Sequence, residues 1–219
     1  MPVRIGIDTG GTFTDVCLIG DGGELAVYKL SSTSGDPSEA IAGGLTAILE
    51  QEQTETTSVR YLGHGTTVAT NALLEGRGAA TGVITTQGFR DLLELGRQMR
   101  PDLYDLQVDK PVPLVRRLHR FEVGERVLAT GEVHVALDEN AVRDAVRALK
   151  ADGVEAISVC FLYSYLMPGH EDAVAAIVAE EFPEAYLSLS HDVLAEFREY
   201  ERLSTTVVNS YVGPLMSRY

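Results

Sequence analysis

Three short apolar stretches, separated by turn-forming residues, open the sequence. They cover residues 3–10 (VRIGIDTG), 12–20 (TFTDVCLIG) and 24–31 (ELAVYKLS). Stretches of this length and composition, bounded by glycine-rich turns, predict β-strands joined by tight connections. Three consecutive strands of this kind form an antiparallel meander, so the chain is predicted to begin with a β-sheet rather than with a helix.

Beyond residue 36 the pattern alternates between helix and strand. Asp36 is predicted to cap a helix over residues 36–52, with Pro37 at its first position. Further strands are predicted at 58–63, 79–86, 119–128, 132–137, 155–162 and 186–193, and further helices at 67–76, 88–99, 138–153, 168–182 and from about 196. A meander followed by this alternation predicts an α/β fold on a mixed sheet with flanking helices.

A long irregular segment divides the chain. Residues 100–117 contain three prolines and show no hydrophobic period. Long ordered loops in compact domains tend to be functional or to connect subdomains. We therefore predict a first subdomain over residues 1–100, a connection over 101–118 and a second α/β subdomain over 119–195, with residues 196–219 beginning a further region.

The charge balance restricts the partners of this chain. Eighteen basic and 32 acidic residues give a net charge of −14, which argues against nucleic acid and against an anionic membrane surface. An anionic ligand must therefore be held by local backbone donors and by cations. Cys17 and Cys160 lie in apolar stretches and are predicted to be free buried thiols, which favours a reducing cytoplasm. The sequence has no signal-peptide pattern and no apolar run of membrane-spanning length.

The turn between the first two predicted strands is the first candidate site. Gly10 and Gly11 permit a concave arrangement of main-chain amides that binds anions. Asp8, at the end of the first strand, suits a hard cation that accompanies phosphates. Hydroxyl groups are contributed by Thr9, Thr12 and Thr14. An ordinary hairpin explains the glycines but neither the carboxylate nor the clustered hydroxyls, so local chemistry leaves the two interpretations about even.

The second candidate is residues 63–75 (GHGTTVATNALLE), at a predicted strand-to-helix junction. The hydroxyls of Thr66 and Thr67 and the first helical amides lie where a helix N-terminus attracts anions. Thr66 is also predicted to be a simple N-cap, and a structural role is favoured for His64. A dinucleotide-binding fingerprint is matched only weakly, because Val68 replaces its third glycine. A P-loop is excluded, since no Gly-x-x-x-x-Gly-Lys-Ser/Thr motif occurs.

Together these segments resemble the N-terminal part of the hydantoinase A / 5-oxoprolinase family, which includes subunits of acetone and acetophenone carboxylases. The matching stretches follow the family's order over essentially the whole chain. They are GIDTGGTFTDV from Gly6, GHGTTVATNALLEGRGAATGVITTQGFRDLLELGRQMRPDLYDL from Gly63, ERVLATGEV from Glu125, GVEAISVCFLYSY from Gly153 followed by PGHE from Pro168, and SLSHDVLAEFREYERLSTTVVNSYVGP from Ser188. The resemblance implies an actin-like ATPase (ribonuclease H-like) fold in which the first hairpin turn is the phosphate-binding loop.

The resemblance also implies roles for individual residues. At the matching positions, the implied ATP-binding residues are Asp8, Gly10, Gly11, Thr12 and Thr14, and Asp8 is the residue on the side of the Mg²⁺ ion. The segment that carries Thr66 and Thr67 is implied to lie near the nucleotide or the substrate. No catalytic residue is assigned.

The implied chemistry is that of an ATP-dependent hydrolase that opens cyclic amides, of the hydantoin or 5-oxoproline type, through phosphorylation of the amide oxygen. The expected partners are a small cyclic amide or ketone substrate and a hydantoinase B-type subunit. A subunit of an ATP-dependent ketone carboxylase is the alternative within the family, and a non-catalytic nucleotide-binding or assembly module is the alternative outside it. Because family members are much longer, we expect this chain to be an N-terminal portion that is inactive alone, with its catalytic residues beyond Tyr219.

Overall fold

The computed structural model describes residues 2–33, 36–99, 102, 104–105 and 107–218. They form two compact units: residues 2–77 with 215–218 make up unit 1, and residues 78–214 make up unit 2. Each unit has its own sheet and its own hydrophobic core. None of the helices in the described ranges is long and apolar enough to cross a membrane.

Unit 1 contains a mixed four-stranded sheet and two helices. Its elements are β1 (Val3–Thr9), β2 (Phe13–Gly20), β3 (Leu25–Ser31), α1 (Pro37–Gln51), β4 (Val59–Thr66) and α2 (Val68–Leu74). The strand order is β3-β2-β1-β4, with β1 antiparallel to β2 and parallel to β4. The predicted meander is confirmed, and β4 extends the sheet on the other side of β1.

Helix α1 packs on this sheet through a glycine. The helix begins as predicted, with Pro37 in its first turn and the Asp36 carboxylate accepting a hydrogen bond from the Ser38 amide at 2.9 Å. Gly44 lies against β2, because a Cβ atom at this position would lie 2.7 Å from Val16 Cγ2. The core of the unit is formed by Val3, Ile5, Ile7, Val16, Leu18 and Ile48. The glycine therefore permits the close approach of helix and sheet.

Unit 2 is built on a parallel sheet. Its elements are β5 (Thr81–Thr86), α3 (Leu92–Leu95), β6 (Arg120–Val123), β7 (Arg126–Val127), β8 (Val133–Val135), α4 (Glu139–Ala151), β9 (Ala156–Cys160), α5 (Gly169–Glu181), β10 (Tyr186–Leu189), α6 (Ser190–Val193) and α7 (Glu199–Arg218), of which α7 belongs to this unit as far as Pro214. The four parallel strands have the order β10-β9-β5-β6, and β7 and β8 form a separate antiparallel pair.

The two central strands of unit 2 are buried along their whole length. Every residue of β5 and β9 is buried, which is expected for parallel strands covered by helices. Leu149 of α4 and Val178 of α5 lie in the same core as Ile157 of β9. Asp138 caps α4 as predicted, because its carboxylate accepts a hydrogen bond from the Ala141 amide at 3.0 Å.

Three of the predicted elements are shortened or divided in the structure. Residues 88–99 form only the short helix α3, which ends at Gly96 with a left-handed φ of 53°. Residues 119–128 divide into β6 and β7 rather than one strand. Residues 186–193 form β10 and then the helix α6, because the buried Glu171 carboxylate accepts hydrogen bonds from Ser190 Oγ at 2.7 Å and from the His191 amide at 3.1 Å. Side-chain bonding to Glu171 thus turns the chain away from the strand direction.

The division between the units also differs from the predicted boundary. It falls between residues 77 and 78 rather than between 100 and 118. The strand β5 explains the difference, because it pairs with β6 and β9 of unit 2 and not with the first sheet. Among the described residues from 102 to 116, none belongs to a helix or strand.

Both cysteines are free thiols, as predicted. Cys160 lies in β9, where burial raises the pKa of its thiol to about 11 against the opposing influence of the Arg202 cation. Cys17, in β2, is only half-buried.

The close packing of α1 on β2 leads to a stability prediction. We expect Gly44→Ala to lower the free energy of unfolding, because overpacking against a stiff, buried Val16 side chain costs about 1–3 kcal/mol and outweighs the helical preference of alanine. Gly43→Ala is the matched control: its Cβ atom would meet only Leu30, at 3.8 Å, so it should gain stability by about 0.5–1 kcal/mol. Urea unfolding followed by circular dichroism measures both, and equal shifts in the two variants would contradict the packing described.

Candidate functional site

The turn between β1 and β2 is a closed hairpin whose tip carries unused donors. The Gly10 amide donates to the Phe13 carbonyl at 2.9 Å. Gly11 and Thr12 are exposed, and their amides donate to no group of the described residues. Neither Gly10 nor Gly11 has a φ between +20° and +160°. Their backbone conformation is therefore open to other residues. At Gly10 a side chain is disfavoured by crowding, because a Cβ atom there would lie 3.2 Å from the Phe13 carbonyl oxygen.

Ser32, directly after β3, holds this turn from one side. Its amide donates to the Thr12 carbonyl at 2.9 Å, and its hydroxyl donates to the Gly10 carbonyl at 2.8 Å. The Ser32 hydroxyl also lies 2.9 Å from Thr14 Oγ1. Thr14 itself is fully buried, so its hydroxyl supports the turn from inside and does not face solvent.

The strand β4 brings the second candidate segment next to the first. In the parallel ladder between β1 and β4, Asp8 is opposite Gly65 and Thr9 is opposite Thr66. The Thr66 hydroxyl donates to the Thr9 carbonyl at 3.0 Å, and the Thr67 amide donates to the same carbonyl at 3.2 Å. Two candidate sites that the sequence presented separately thus form one cluster at the end of β1.

Details of the second segment differ from prediction. The N-cap residue of α2 is Thr67, and its side chain makes no capping hydrogen bond. Thr66 still satisfies one amide of the helix, because its hydroxyl accepts a hydrogen bond from the Val68 amide at 3.1 Å. His64 lies 3.2 Å from Thr9 Oγ1 through its Nε2 atom. Gly63 lies inside β4 rather than in a turn, which removes the dinucleotide-binding interpretation.

Asn71 and Ser32 are contributors that the sequence did not identify. Asn71 Nδ2 donates to Thr67 Oγ1 at 3.2 Å, and it lies close to the turn, because a Cβ atom on Gly11 would be 3.3 Å from it. The spacing of Thr67 and Asn71, four residues apart on one helix, was the available signal for this contact. Ser32 offered no local signal, because its role depends on the register between β2 and β3.

Asp8 is a carboxylate without a partner. It is exposed, and it forms no hydrogen bond or ion pair within the described part of the chain. Asp15 lies directly opposite it on β2, and like charges in this position destabilise a sheet. Lys29 neutralises Asp15 through an ion pair of 2.7 Å, but nothing comparable balances Asp8. The described residues contain no group of three or more His, Cys, Asp or Glu side chains that could hold a metal ion by themselves.

These features define what the cluster can do chemically. Free amides at Gly11 and Thr12 and the Thr12 hydroxyl offer donors to an anion. The unpaired Asp8 carboxylate offers oxygen ligands to a hard divalent cation, which needs further ligands from water or from the anion. The donor set fits a phosphate group that arrives with its cation, in a chain whose overall charge repels a bare anion.

This architecture is shared with ATP-dependent enzymes of known structure. The chain superposes with a TM-score of 0.86 on the ATP-dependent caprolactamase of Pseudomonas jessenii, at 36% identity, covering 99% of this chain and 32% of that one. It superposes with the same TM-score on acetone carboxylase in its nucleotide-free form, at 26% identity, covering 96% of this chain and 32% of that one. The fold is thus the α/β fold predicted from the sequence, of the actin-like ATPase (ribonuclease H-like) type.

The chain belongs to the hydantoinase/oxoprolinase family, whose N-terminal region it matches over residues 4–182. It is 36% identical to caprolactamase subunit alpha of P. jessenii, covering 99% of this chain and 32% of that protein. It is 33% identical to 5-oxoprolinase of Saccharomyces cerevisiae, covering 99% of this chain and 20% of that protein. The chain therefore spans about a third or less of the length of these relatives.

The contact between β1 and the start of α2 leads to a second prediction. We expect Thr66→Val to lower the free energy of unfolding by about 1 kcal/mol and to speed amide exchange at Val68, because it removes two hydrogen bonds of a half-buried hydroxyl. Thr67→Val, one residue on, should change stability by less than about 0.5 kcal/mol, because the Thr67 hydroxyl is exposed. Hydrogen exchange read by NMR measures both, and an equal or larger effect at Thr67 would refute the arrangement.

Proposed function

We propose that unit 1 binds the phosphates of ATP at the turn between β1 and β2, with a Mg²⁺ ion on the side of Asp8. The observation that carries the proposal is the unpaired Asp8 carboxylate near the end of β1, the strand that leads into a turn with two unused main-chain amides. A protein that leaves a carboxylate opposite a second carboxylate gives up stability. A cation bound by Asp8 would remove the repulsion between the two carboxylates and so restore the lost stability.

The site residues take different parts in this proposal. Gly10 and Gly11, which have no side chains, would let a phosphate group approach the main chain closely. The amides of Gly11 and Thr12 would donate hydrogen bonds to it. Thr14 acts from within the sheet, through Ser32, on the shape of the turn. Thr66 and Thr67 fix the end of β1 against α2, and Thr67 lies with Asn71 on the exposed side from which a phosphate would approach.

The proposed reaction is the ATP-dependent opening of a cyclic amide of the hydantoin or 5-oxoproline type. Two relatives bear names of this kind, the ATP-dependent caprolactamase and 5-oxoprolinase. When bound, ATP would supply a phosphoryl group to the amide oxygen with release of ADP, and water would then open the activated ring with release of phosphate. The described residues contribute by binding and orienting phosphate and by balancing its charge, which is most of what a protein does in phosphoryl transfer.

Carboxylation of a ketone is the second candidate, because the likeness to acetone carboxylase reaches the same TM-score as that to caprolactamase. The fold is thus common to both chemistries. As one relative is named a subunit alpha, we also propose a partner subunit of the hydantoinase B type. The two free thiols support a reducing, cytoplasmic location.

The role of Asp8 can be tested by titrating the chain with ATP in an isothermal calorimeter. With Mg²⁺ present, Asp8→Asn should weaken binding by about tenfold or more, because a charge-assisted contact is lost. Without Mg²⁺ the same variant should instead strengthen ATP binding, since it removes a negative charge that repels the anion.

Asp21→Asn is the control for this titration. It removes the same charge from the turn at the opposite end of β2, and it should leave both affinities unchanged. Binding that is indifferent to Mg²⁺, or equal in Asp8→Asn and the unaltered chain, would contradict the proposal. Thermal unfolding of each variant confirms that the fold is intact.

The reaction class is tested on the natural assembly that contains this chain. We expect its ATP hydrolysis to accelerate on addition of 5-oxoproline or hydantoin, and not on addition of acetone with bicarbonate. Acceleration by the ketone alone would replace the amidohydrolase proposal with the carboxylase. ATP binding without turnover on either substrate would favour a non-catalytic nucleotide-binding or assembly module.

A further inference from the structure

A small cavity lies within unit 2, at the edge where the parallel strands end. Its walls come from segments that follow β5 and β9, from the start of β7 and from the first turn of α7 and the residues before it. The cavity has a volume of about 290 Å³. Crevices beyond the carboxyl ends of parallel strands are where α/β sheets bind their ligands. The position of this cavity is therefore that of a ligand site.

The cavity is positively charged in an acidic chain. Its lining includes Arg126, Arg198 and Arg202, opposed by one acid, Glu199. Arg126 and Arg198 form no ion pair with any carboxylate of the described residues. Other arginines of unit 2 do have such partners, namely Arg97, Arg117, Arg120, Arg143 and Arg147. Arg126 and Arg198 thus bring two guanidinium groups without an ion pair to one cavity of a chain that has 32 acidic residues, and their donors are available to an anionic ligand.

Arg202 gives the cavity a fixed, buried cation. Only 1% of this residue is exposed. It donates through Nε to Ser190 Oγ at 3.1 Å and through Nη1 to the Glu196 carbonyl at 2.9 Å, and Nη2 donates to the Phe161 carbonyl. Two of the acceptors are main-chain carbonyls, and the third, Ser190 Oγ, donates in turn to the buried Glu171 carboxylate at 2.7 Å. The guanidinium is therefore held in place with a carboxylate reached only through one hydroxyl. A guanidinium has five N–H groups, and two of them remain for another acceptor.

Aromatic rings accompany each of the three cations. The Arg126 guanidinium lies 5.8 Å from the centre of the Phe89 ring, that of Arg198 lies 5.2 Å from the Phe197 ring, and that of Arg202 lies 5.3 Å from the Tyr165 ring. Such stacking orients the planar guanidinium and leaves its edge free for hydrogen bonds. The walls thus combine flat apolar surfaces with cationic edges.

Two residues at the cavity adopt a backbone conformation that side chains disfavour. Tyr163 has a φ of 60° and Arg198 has a φ of 75°, and both line the cavity. Left-handed residues other than glycine persist where the surroundings enforce them, and they concentrate at ligand sites. Here the conformation carries one of the unpaired arginines to the cavity.

We propose that this cavity binds a small carboxylate that has a flat ring. Arginine edges match a carboxylate through paired hydrogen bonds, and the aromatic walls match a planar body. The volume is at the lower limit for small-molecule sites, about 300 Å³, and leaves no room for a nucleoside triphosphate. The site shares no residue with the turn of unit 1, so this proposal stands independently of the proposed ATP binding.

Benzoate is the probe for this site and benzamide its neutral counterpart of the same shape. In the ¹⁵N-labelled chain, benzoate should shift the Nε–H signals of Arg126 and Arg198 to saturation, and benzamide should not. Inorganic phosphate should bind more weakly than benzoate, because it lacks the ring. Tighter binding of phosphate would identify the cavity as a phosphate site and overturn the carboxylate assignment.

Variants make the assignment specific. Arg126→Gln and Arg198→Gln should each weaken benzoate binding by about tenfold, as expected for one charge-assisted contact. Arg116→Gln is the matched control, because Arg116 is an exposed arginine of unit 2 that also lacks an ion pair among the described residues, and it should leave the affinity unchanged. Equal weakening in the control, equal binding of benzamide, or no saturable shift would each refute the proposal. Unchanged circular dichroism spectra exclude misfolding of the variants.

Discussion

The parallel ladder between β1 and β4 is the interaction on which the candidate site depends. It joins residues that lie more than fifty positions apart in the sequence and sets Asp8 beside Gly65 and Thr9 beside Thr66. Without it, the glycine turn and the threonine pair would be two unrelated surface features. Pairing between distant strands must first overcome the entropy of closing the intervening loop. The core that α1 forms with β1 and β2 stabilises the same ladder.

Local patterns were sufficient for most elements of the fold. Alternating apolar residues predicted β1 to β3, and Asp36 and Asp138 correctly marked the starts of two helices. The partner of β5 could not be predicted in this way. The sequence of β5, TGVITT, is buried on both faces and shows no alternation of apolar and polar residues that would assign it to one sheet or the other, so only the three-dimensional pairing decides between them.

The candidate site was predictable as a list of residues but not as an arrangement. The burial of Thr14 follows from the period of two that also buries Val16 and Leu18 on the same face of β2, so this fact was within reach of the sequence. The contributions of Ser32 and Asn71 were not, because each depends on a strand register or on the seating of a helix. Unpaired charges such as Asp8 and Arg126 are likewise visible only when every neighbour is known.

The hydrogen bond from Ser32 to the Gly10 carbonyl has a consequence for ligand binding. A trans peptide unit is planar, and its carbonyl and its N–H group point in opposite directions. The carbonyl of Gly10 and the amide of Gly11 belong to the same peptide unit, so the Ser32 hydroxyl that fixes the first also aims the second away from Ser32. The amide is thereby oriented before any anion arrives, and binding need not reorganise the backbone. Ser32, a residue outside the turn, thus sets the orientation of the peptide unit whose N–H group an anion would meet.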